Sequence, residues 1–254
     1  MYEPNVQRAL QVIQPGWKVL DIGGWACPFN RATHVMDAEP YGTRGYYAKI
    51  GGRGSQGGDQ EYFTESTWIQ RDICGREPYP FGDKEFDFVI CSHTLEDIRD
   101  PLWVCSEMVR IARRGYLEIP SRLWETCLGA EHPSLAGLSH HRWLIEISGH
   151  HVSFLPKYHM IHRGPRYNLP ASLLRQLTPE ESIAYLFWEG DFTFEEKSIH
   201  GVDAMGAEMR RYVAQYTSRT GSRHLAYVGA DFAEWLALLG QRISRGWRRL
   251  LGKR

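Results

Sequence analysis

Trp17-Lys-Val-Leu-Asp-Ile-Gly-Gly24 decides the fold. Its apolar centre reads as a buried strand, and an acid followed by two glycines ends that strand abruptly. Upstream, Val6, Ala9, Leu10 and Ile13 recur at helical spacing until Pro15-Gly16 stops the helix. Downstream, residues 33–37, 67–71, 86–91 and 115–119 read as further strands. Phe86-Asp-Phe-Val-Ile-Cys91 is apolar almost throughout, as a strand covered on both faces must be. Between the last two strands, residues 100–112 form a helix pattern, with Asp100 as N-cap and Pro101 in the first turn. Strands alternating with helices imply parallel pairing, so the expected fold is α/β, a doubly wound and mostly parallel sheet of the Rossmann-like kind.

After Arg122 the alternation stops. Residues 142–148 and 152–155 read as a hairpin around Gly149, and residues 185–188 and 192–194 as a second hairpin around Gly190. Helical patterns follow at residues 203–216 and 230–251. Between the second and third strands, Gly51, Gly52, Gly54, Gly57 and Gly58 sit among tyrosines, which reads as a lid loop or a disordered insertion.

The chain has 254 residues, of which 43% are hydrophobic and 24% charged, which excludes a disordered or low-complexity protein. Thirty basic residues balance thirty acidic ones, so no overall charge argues for nucleic acid, and none is expected as a partner. Cys27, Cys74, Cys91, Cys105 and Cys127 form no C-x-x-C pair and read as reduced thiols of a cytoplasmic protein. The first residues lack a secretory signal pattern, and no apolar run has transmembrane length.

In a doubly wound sheet, ligands bind beyond the carboxyl ends of the strands. Asp21, Gly23 and Gly24 stand there, and glycines let the backbone approach a ligand beside the next helix. Asp37 ends the following strand, placed to accept hydrogen bonds from ribose hydroxyls. The nicotinamide fingerprint G-x-G-x-x-G is absent, since Gly23-Gly24 runs on into Trp25-Ala-Cys-Pro28.

Taken in order, Val19–Gly24, Asp37, Arg71-Asp-Ile73, residues 81–90, Ser92-His-Thr-Leu-Glu-Asp97, Asp100-Pro101 and residues 107–120 form a series. This series resembles the class I S-adenosylmethionine-dependent methyltransferases, in particular the small-molecule branch with an H-x-L-E-H type segment. The resemblance covers residues 1–122 and implies that they form the cofactor-binding core. It implies that Asp21 and Gly23 line the methionine side of S-adenosylmethionine, with Gly24 beside them. Asp37 would then hold the ribose, Asp72 and Ile73 the adenine edge, and Ser92 and His93 would lie below the transferable methyl. Residues 123–229 would complete the same domain on the acceptor side, and residues 230–254 would add a basic amphipathic helix.

A sulfonium already activates its methyl group, so the protein must align the acceptor, exclude water and remove a proton. His93 is the first candidate base, with Asp97 one turn on to orient it, and His141 of His141-Arg-Trp143 is the second. The acceptor expected from the resemblance is a sugar or other small polar metabolite, or a glycan, methylated on oxygen. Tyr46, Tyr47, Trp124 and Trp143 are available to stack on a ring.

Two rival readings come from other classes. Trp25 and Cys27 stand where the resembled family carries glycine, which suits a non-catalytic binding or scaffold protein. His132, His140, His141, His150, His151, His159 and His162 crowd residues 132–162, which suits a metal-dependent enzyme. Their spacing matches no zinc motif, so no metal ligand is assigned from sequence. In the tail, Trp235, Leu236, Leu239, Ile243, Trp247 and Leu250 share helical spacing with an arginine-rich end, a pattern for peripheral contact with an anionic inner-membrane surface.

Overall fold

Val19–Ile22 forms strand β1, and all four of its residues are buried, because it has a strand on each side and an apolar cluster on each face. A computed structural model of the chain describes residues 1–220. In chain order it holds helix α1 (Glu3–Val12), β1, β2 (His34–Asp37), α2 (Tyr46–Lys49), β3 (Trp68–Gln70) and β4 (Phe88–Ser92). There follow α3 (Pro101–Ile111), β5 (Arg114–Pro120), α4 (Arg122–Thr126), β6 (Trp143–Ser148) and β7 (His151–Pro156). The last elements are α5 (Ala171–Leu174), β8 (Ile183–Glu189), β9 (Thr193–Glu196), α6 (Val202–Ala214) and α7 (Thr217–Thr220). The expected tail helix at residues 230–254 lies outside the described residues.

The main sheet has the order β3-β2-β1-β4-β5-β8, parallel except for β8, and matches the expected doubly wound class. Side-chain alternation sends the two faces of each strand to different cores. Val19, Phe88, Ile90 and Tyr116 pack with Val6, Ala9 and Ile13 of α1. Leu20, Ile22, Val89, Cys91 and Leu117 pack with Val104, Cys105, Met108 and Ile111 of α3. Asp100 caps α3 by accepting the Trp103 N–H at 3.1 Å. Each fully buried Leu, Ile or Phe here contributes about 1.5–3 kcal/mol, so α1 and α3 are fastened chiefly by these stripes. Cys74, Cys91, Cys105 and Cys127 are buried, and Cys27 is half-buried.

β6 and β7 form the first expected hairpin. The second does not form. β8 instead runs antiparallel to β5 over seven residue pairs, while β9 lies parallel to β7 in a separate three-stranded sheet. Both faces of β8 are apolar, with Tyr185 and Phe187 on one and Leu186 and Trp188 on the other. A two-stranded ribbon covers one face at best, whereas the edge of the main sheet covers both.

A second difference lies between β1 and β2. Residues 23–33 cross from one to the other without a helix, where a crossover helix was expected. Phe29, fully buried, fills the space beside Val19 and Val35, and Pro28 denies that stretch a backbone donor. The glycine-rich segment is docked here rather than detached. Gly45 and Tyr47 donate to the Trp25 and Ala26 carbonyls at 2.9 and 3.1 Å. Gln56 donates to Pro28 at 3.0 Å and accepts from Asn30 at 2.6 Å. At Gly57 (φ 79°) a side chain would run into the Phe29 ring, so only glycine fits.

The chain divides into two compact units. Met1–Glu125, His140–Lys157 and Leu177–Ser198 form the first, which contains both sheets. Among the described residues, Thr126–Ser139, Tyr158–Gln176 and 199–220 form the second. Within the second, Cys127 bridges to Leu169, Leu128 to Ala136, and α6 buries Met209, Tyr212 and Val213. Among the described residues, no helix is long and apolar enough to cross a membrane.

Candidate functional site

The carboxyl ends of β1, β2, β4 and β5 collect most of the residues singled out from sequence. Asp21 is buried and accepts the Phe29 N–H at 2.8 Å, closing the crossover loop onto its own strand. Burial pushes its carboxyl up to about 7, partly offset by that N–H. Gly24 lies so close that a methyl there would sit 2.3 Å from the carboxylate. Gly23 has φ 76° and is covered by the Thr94 side chain. Both glycines are therefore required by the protein's own packing.

Asp37 accepts the Trp25 N–H on one oxygen and the Glu39 N–H on the other, each at 3.0 Å. Burial nevertheless raises its pKa, and each oxygen keeps a further lone pair for a ligand hydroxyl. Trp25 stacks on Tyr46 at 4.9 Å, and its indole N–H donates to Thr43. Trp25 thus pins residues 43–46 beside Asp37. Asp72 closes a turn by accepting the Cys74 N–H at 2.9 Å and pairs with Arg99 at 2.6 Å, and that pairing lowers its pKa. Ile73 is buried, and its carbonyl accepts the Tyr79 hydroxyl at 2.8 Å. At the end of β4, the Ser92 hydroxyl is buried and has no hydrogen-bond partner among the described residues.

His93 occupies the expected place but differs in chemistry. Its backbone is left-handed (φ 52°), and its ring turns to Glu118 (Nε2 to Oε1, 3.0 Å) and towards Glu96 (3.5 Å). Burial opposes the charged ring, but the bonds to Glu118 and Glu96 outweigh it and raise the pKa to about 9. The ring is 37% exposed, so solvent tempers this bias without reversing it. The ring therefore favours the imidazolium form, which donates a proton, rather than the neutral base expected from sequence. Asp97 does not orient it either, because no helix follows β4 before α3.

Glu118 explains the bias. It is fully buried, and both of its oxygens accept the Tyr2 N–H at 2.9 Å, while the Tyr116 hydroxyl and Asn5 donate as well. Burial opposes its charge, but His93 and these donors hold its pKa down at about 2. Sequence reading did not identify this role. The available signal was a carboxylate within the apolar run Tyr116-Leu-Glu-Ile119, where a charge must find partners.

Asp97 meets His140 and His141 instead. His141 Nε2 lies 3.4 Å and His140 Nε2 3.8 Å from Asp97 Oδ1. On its other side, His141 Nδ1 lies 2.5 Å from Glu125 Oε1, and Lys157 Nζ donates to Glu125 at 2.7 Å. His141, Glu125 and Lys157 are all buried. Burial works against a charged His141, yet Glu125 raises its pKa; burial and Glu96 raise that of Asp97. Arg142 N–H donates to the Glu96 carbonyl at 2.7 Å and the Trp143 indole to Ile98 at 2.9 Å, fastening the two histidines to the loop after β4. The other members of the histidine-rich stretch scatter. His132 pairs with Ser134, His162 with the Ala136 N–H, and His151 with Thr193.

A family described as "Methyltransferase domain" matches residues 54–117. No curated protein matches the chain. Among solved structures, a chain of the complex between the Haloferax volcanii Trm112 methyltransferase activator and a methyltransferase is 17% identical, covering 47% of this chain and 53% of that one (TM-score 0.33). An S-adenosylmethionine-dependent methyltransferase from Mesorhizobium loti is 13% identical, covering 58% and 61% (TM-score 0.32). An arsenic(III) S-adenosylmethionine methyltransferase from Chlamydomonas reinhardtii is 19% identical, covering 46% and 49% (TM-score 0.29). The chain thus spans about half the length of the first of these structures. The family match runs through β3, β4, α3 and into β5, where Asp72, Ser92 and His93 stand, and the mostly parallel sheet with helices on its faces is of the expected Rossmann-like α/β class.

Proposed function

We propose that the chain transfers a methyl group from S-adenosylmethionine to an oxygen of a small polar acceptor, a sugar or related metabolite. When bound, the cofactor supplies a methyl group activated by a sulfonium. The rest falls to the chain's own residues. Asp37, with free lone pairs, accepts the ribose hydroxyls, and the unpartnered Ser92 hydroxyl faces the same ligand. Gly23 and Gly24 bring the backbone close to its methionine end, next to buried Asp21. Asp72 and Ile73 shape the adenine side through the turn they close. On the acceptor side, Glu125 fixes the His141 ring so that Nε2 points to Asp97, and this edge receives the acceptor hydroxyl.

The observation that carries the reading is the pairing of two features: Asp37 and the unpartnered Ser92 hydroxyl at the carboxyl ends of β2 and β4, and an imidazole at His141 oriented by Glu125. Calorimetric titration of the full chain with S-adenosylmethionine and with S-adenosylhomocysteine tests it. Saturable binding of both, with turnover on a panel of sugars and small polyols, is the expected result. Absence of binding at millimolar ligand by folded protein defeats it. A second reading, a non-catalytic binding protein on the same fold, is favoured by the missing helix after β1, which removes a helix N-terminus from the cofactor side. Binding without turnover on any acceptor is its signature. Contact of the basic tail with anionic lipid is a separate proposal from sequence, checked by salt-sensitive vesicle sedimentation.

A further inference from the structure

We propose that Asp97, His140 and His141 form a mononuclear site for a divalent transition-metal ion of the zinc, iron(II), manganese or cobalt class. The candidate ligand atoms, Asp97 Oδ1, His140 Nε2 and His141 Nε2, all lie within 4.8 Å of one another. The 3.4 Å between His141 Nε2 and Asp97 Oδ1 is too long for a good hydrogen bond. It equals the spacing, about 3.4 Å, of two ligands on one tetrahedral ion with bonds of about 2.0–2.1 Å.

Three further observations point the same way. First, Asp97 Oδ1 is shielded from solvent and has no hydrogen-bond partner among the described residues, so an acceptor there awaits a ligand. Second, with Nδ1 donating to Glu125, a neutral His141 carries its lone pair on Nε2, the tautomer a metal needs. Glu125 is itself held by Lys157, so the ring is fixed by an outer carboxylate, as ligating histidines regularly are. Third, the donor set is two imidazoles and one carboxylate, which selects transition metals over magnesium or calcium.

Three protein ligands leave at least one coordination position open, which marks a site that also takes a ligand rather than a closed structural one. On the methyl-transfer reading, on which this last step rests, the open position suits the acceptor's hydroxyl oxygen. Metal binding itself is measured without S-adenosylmethionine or acceptor, so failure of either reading leaves the other standing.

The test uses untagged full-length protein stripped of metal by chelation and dialysis, then titrated with Co2+ by visible absorption and with Zn2+ by calorimetry. One equivalent of each, with cobalt d–d bands, is the expected result. His140→Ala is the principal variant, because its side chain is 61% exposed and its loss leaves the core intact. It should abolish or sharply weaken binding and change the cobalt spectrum. Asp97→Asn should do the same, and Glu125→Gln should weaken binding by about ten- to a hundredfold. Circular dichroism confirms that each variant is folded. The proposal is overturned by the absence of saturable binding in the micromolar range. It is equally overturned by binding that His140→Ala and Asp97→Asn leave unchanged, which would place the ion elsewhere.

Discussion

His93 Nε2 stands 3.0 Å from Glu118 Oε1, joining the ends of two neighbouring parallel strands, β4 and β5, by an ion pair. The pair sets a pH window for stability. The His93 pKa is raised from 6.5 to about 9 on folding, so its contribution is complete below about 6.5 and lost as pH rises through 9. The Glu118 pKa is lowered from 4.5 to about 2, so its contribution is complete above about 4.5 and lost as pH falls through 2. Melting temperature should therefore be highest between about pH 4.5 and 6.5 as far as this pair decides it. His93→Gln should flatten the alkaline limb from pH 6.5 to 9. An unchanged alkaline slope in that variant would show that the pair contributes nothing.

Gly24→Ala tests whether the glycine serves Asp21 or a ligand. An added methyl meets the Asp21 carboxylate at 2.3 Å, so either the loop shifts or Asp21 releases the Phe29 N–H. A loss of about 1–3 kcal/mol is expected in denaturant unfolding, from strain and a broken buried hydrogen bond. A variant as stable as the parent but unable to bind S-adenosylmethionine would assign the glycine to the ligand alone.

Asp37 carries two roles that two substitutions separate. Asp37→Ala removes the acceptor for the Trp25 and Glu39 amides and for the proposed ribose contact. It should lower stability by about 1–3 kcal/mol and weaken S-adenosylmethionine binding at least about tenfold. Asp37→Asn keeps one acceptor oxygen and should restore more stability than binding. Full binding in the alanine variant, measured by calorimetry, would remove Asp37 from the site.

The strands from β1 to β5 and helix α3 were legible because their signals are local. Apolar runs, Asp100-Pro101 and Gly23-Gly24 each act within a few residues. What escaped was long-range. β8 reads as half of a hairpin, and only the distant edge of β5 explains why both of its faces are apolar. Glu118 reads as one polar residue in a strand, because its partners Tyr2 and Asn5 lie 116 and 113 residues away. His93 looked like a neutral base until Glu118, 25 residues on and on the neighbouring strand, was placed beside its ring. His141 was singled out, but its orientation by Glu125 and Lys157 belongs to the folded chain alone.

Phe29 should prove the keystone of the crossover between β1 and β2. It is fully buried, its amide is held by Asp21, and its ring lies where Gly57 has no side chain. It therefore links residues 23–33 to the glycine-rich segment that docks on them through Gln56. Truncation to alanine leaves a cavity that backbone held by these hydrogen bonds fills poorly, so Phe29→Ala should cost about 3–5 kcal/mol. Hydrogen exchange distinguishes a local from a shared effect. If the ring holds both segments, protection should fall together at the Asn30 amide, which donates to the Gln56 carbonyl, at the Gln56 amide, which donates to the Pro28 carbonyl, and at Tyr62, which donates to the Asn30 carbonyl. The β4 and β5 amides should keep their order of protection relative to global unfolding. Loss confined to residues 23–33, with Gln56 and Tyr62 as protected as before, would show that the glycine-rich segment is held independently of Phe29.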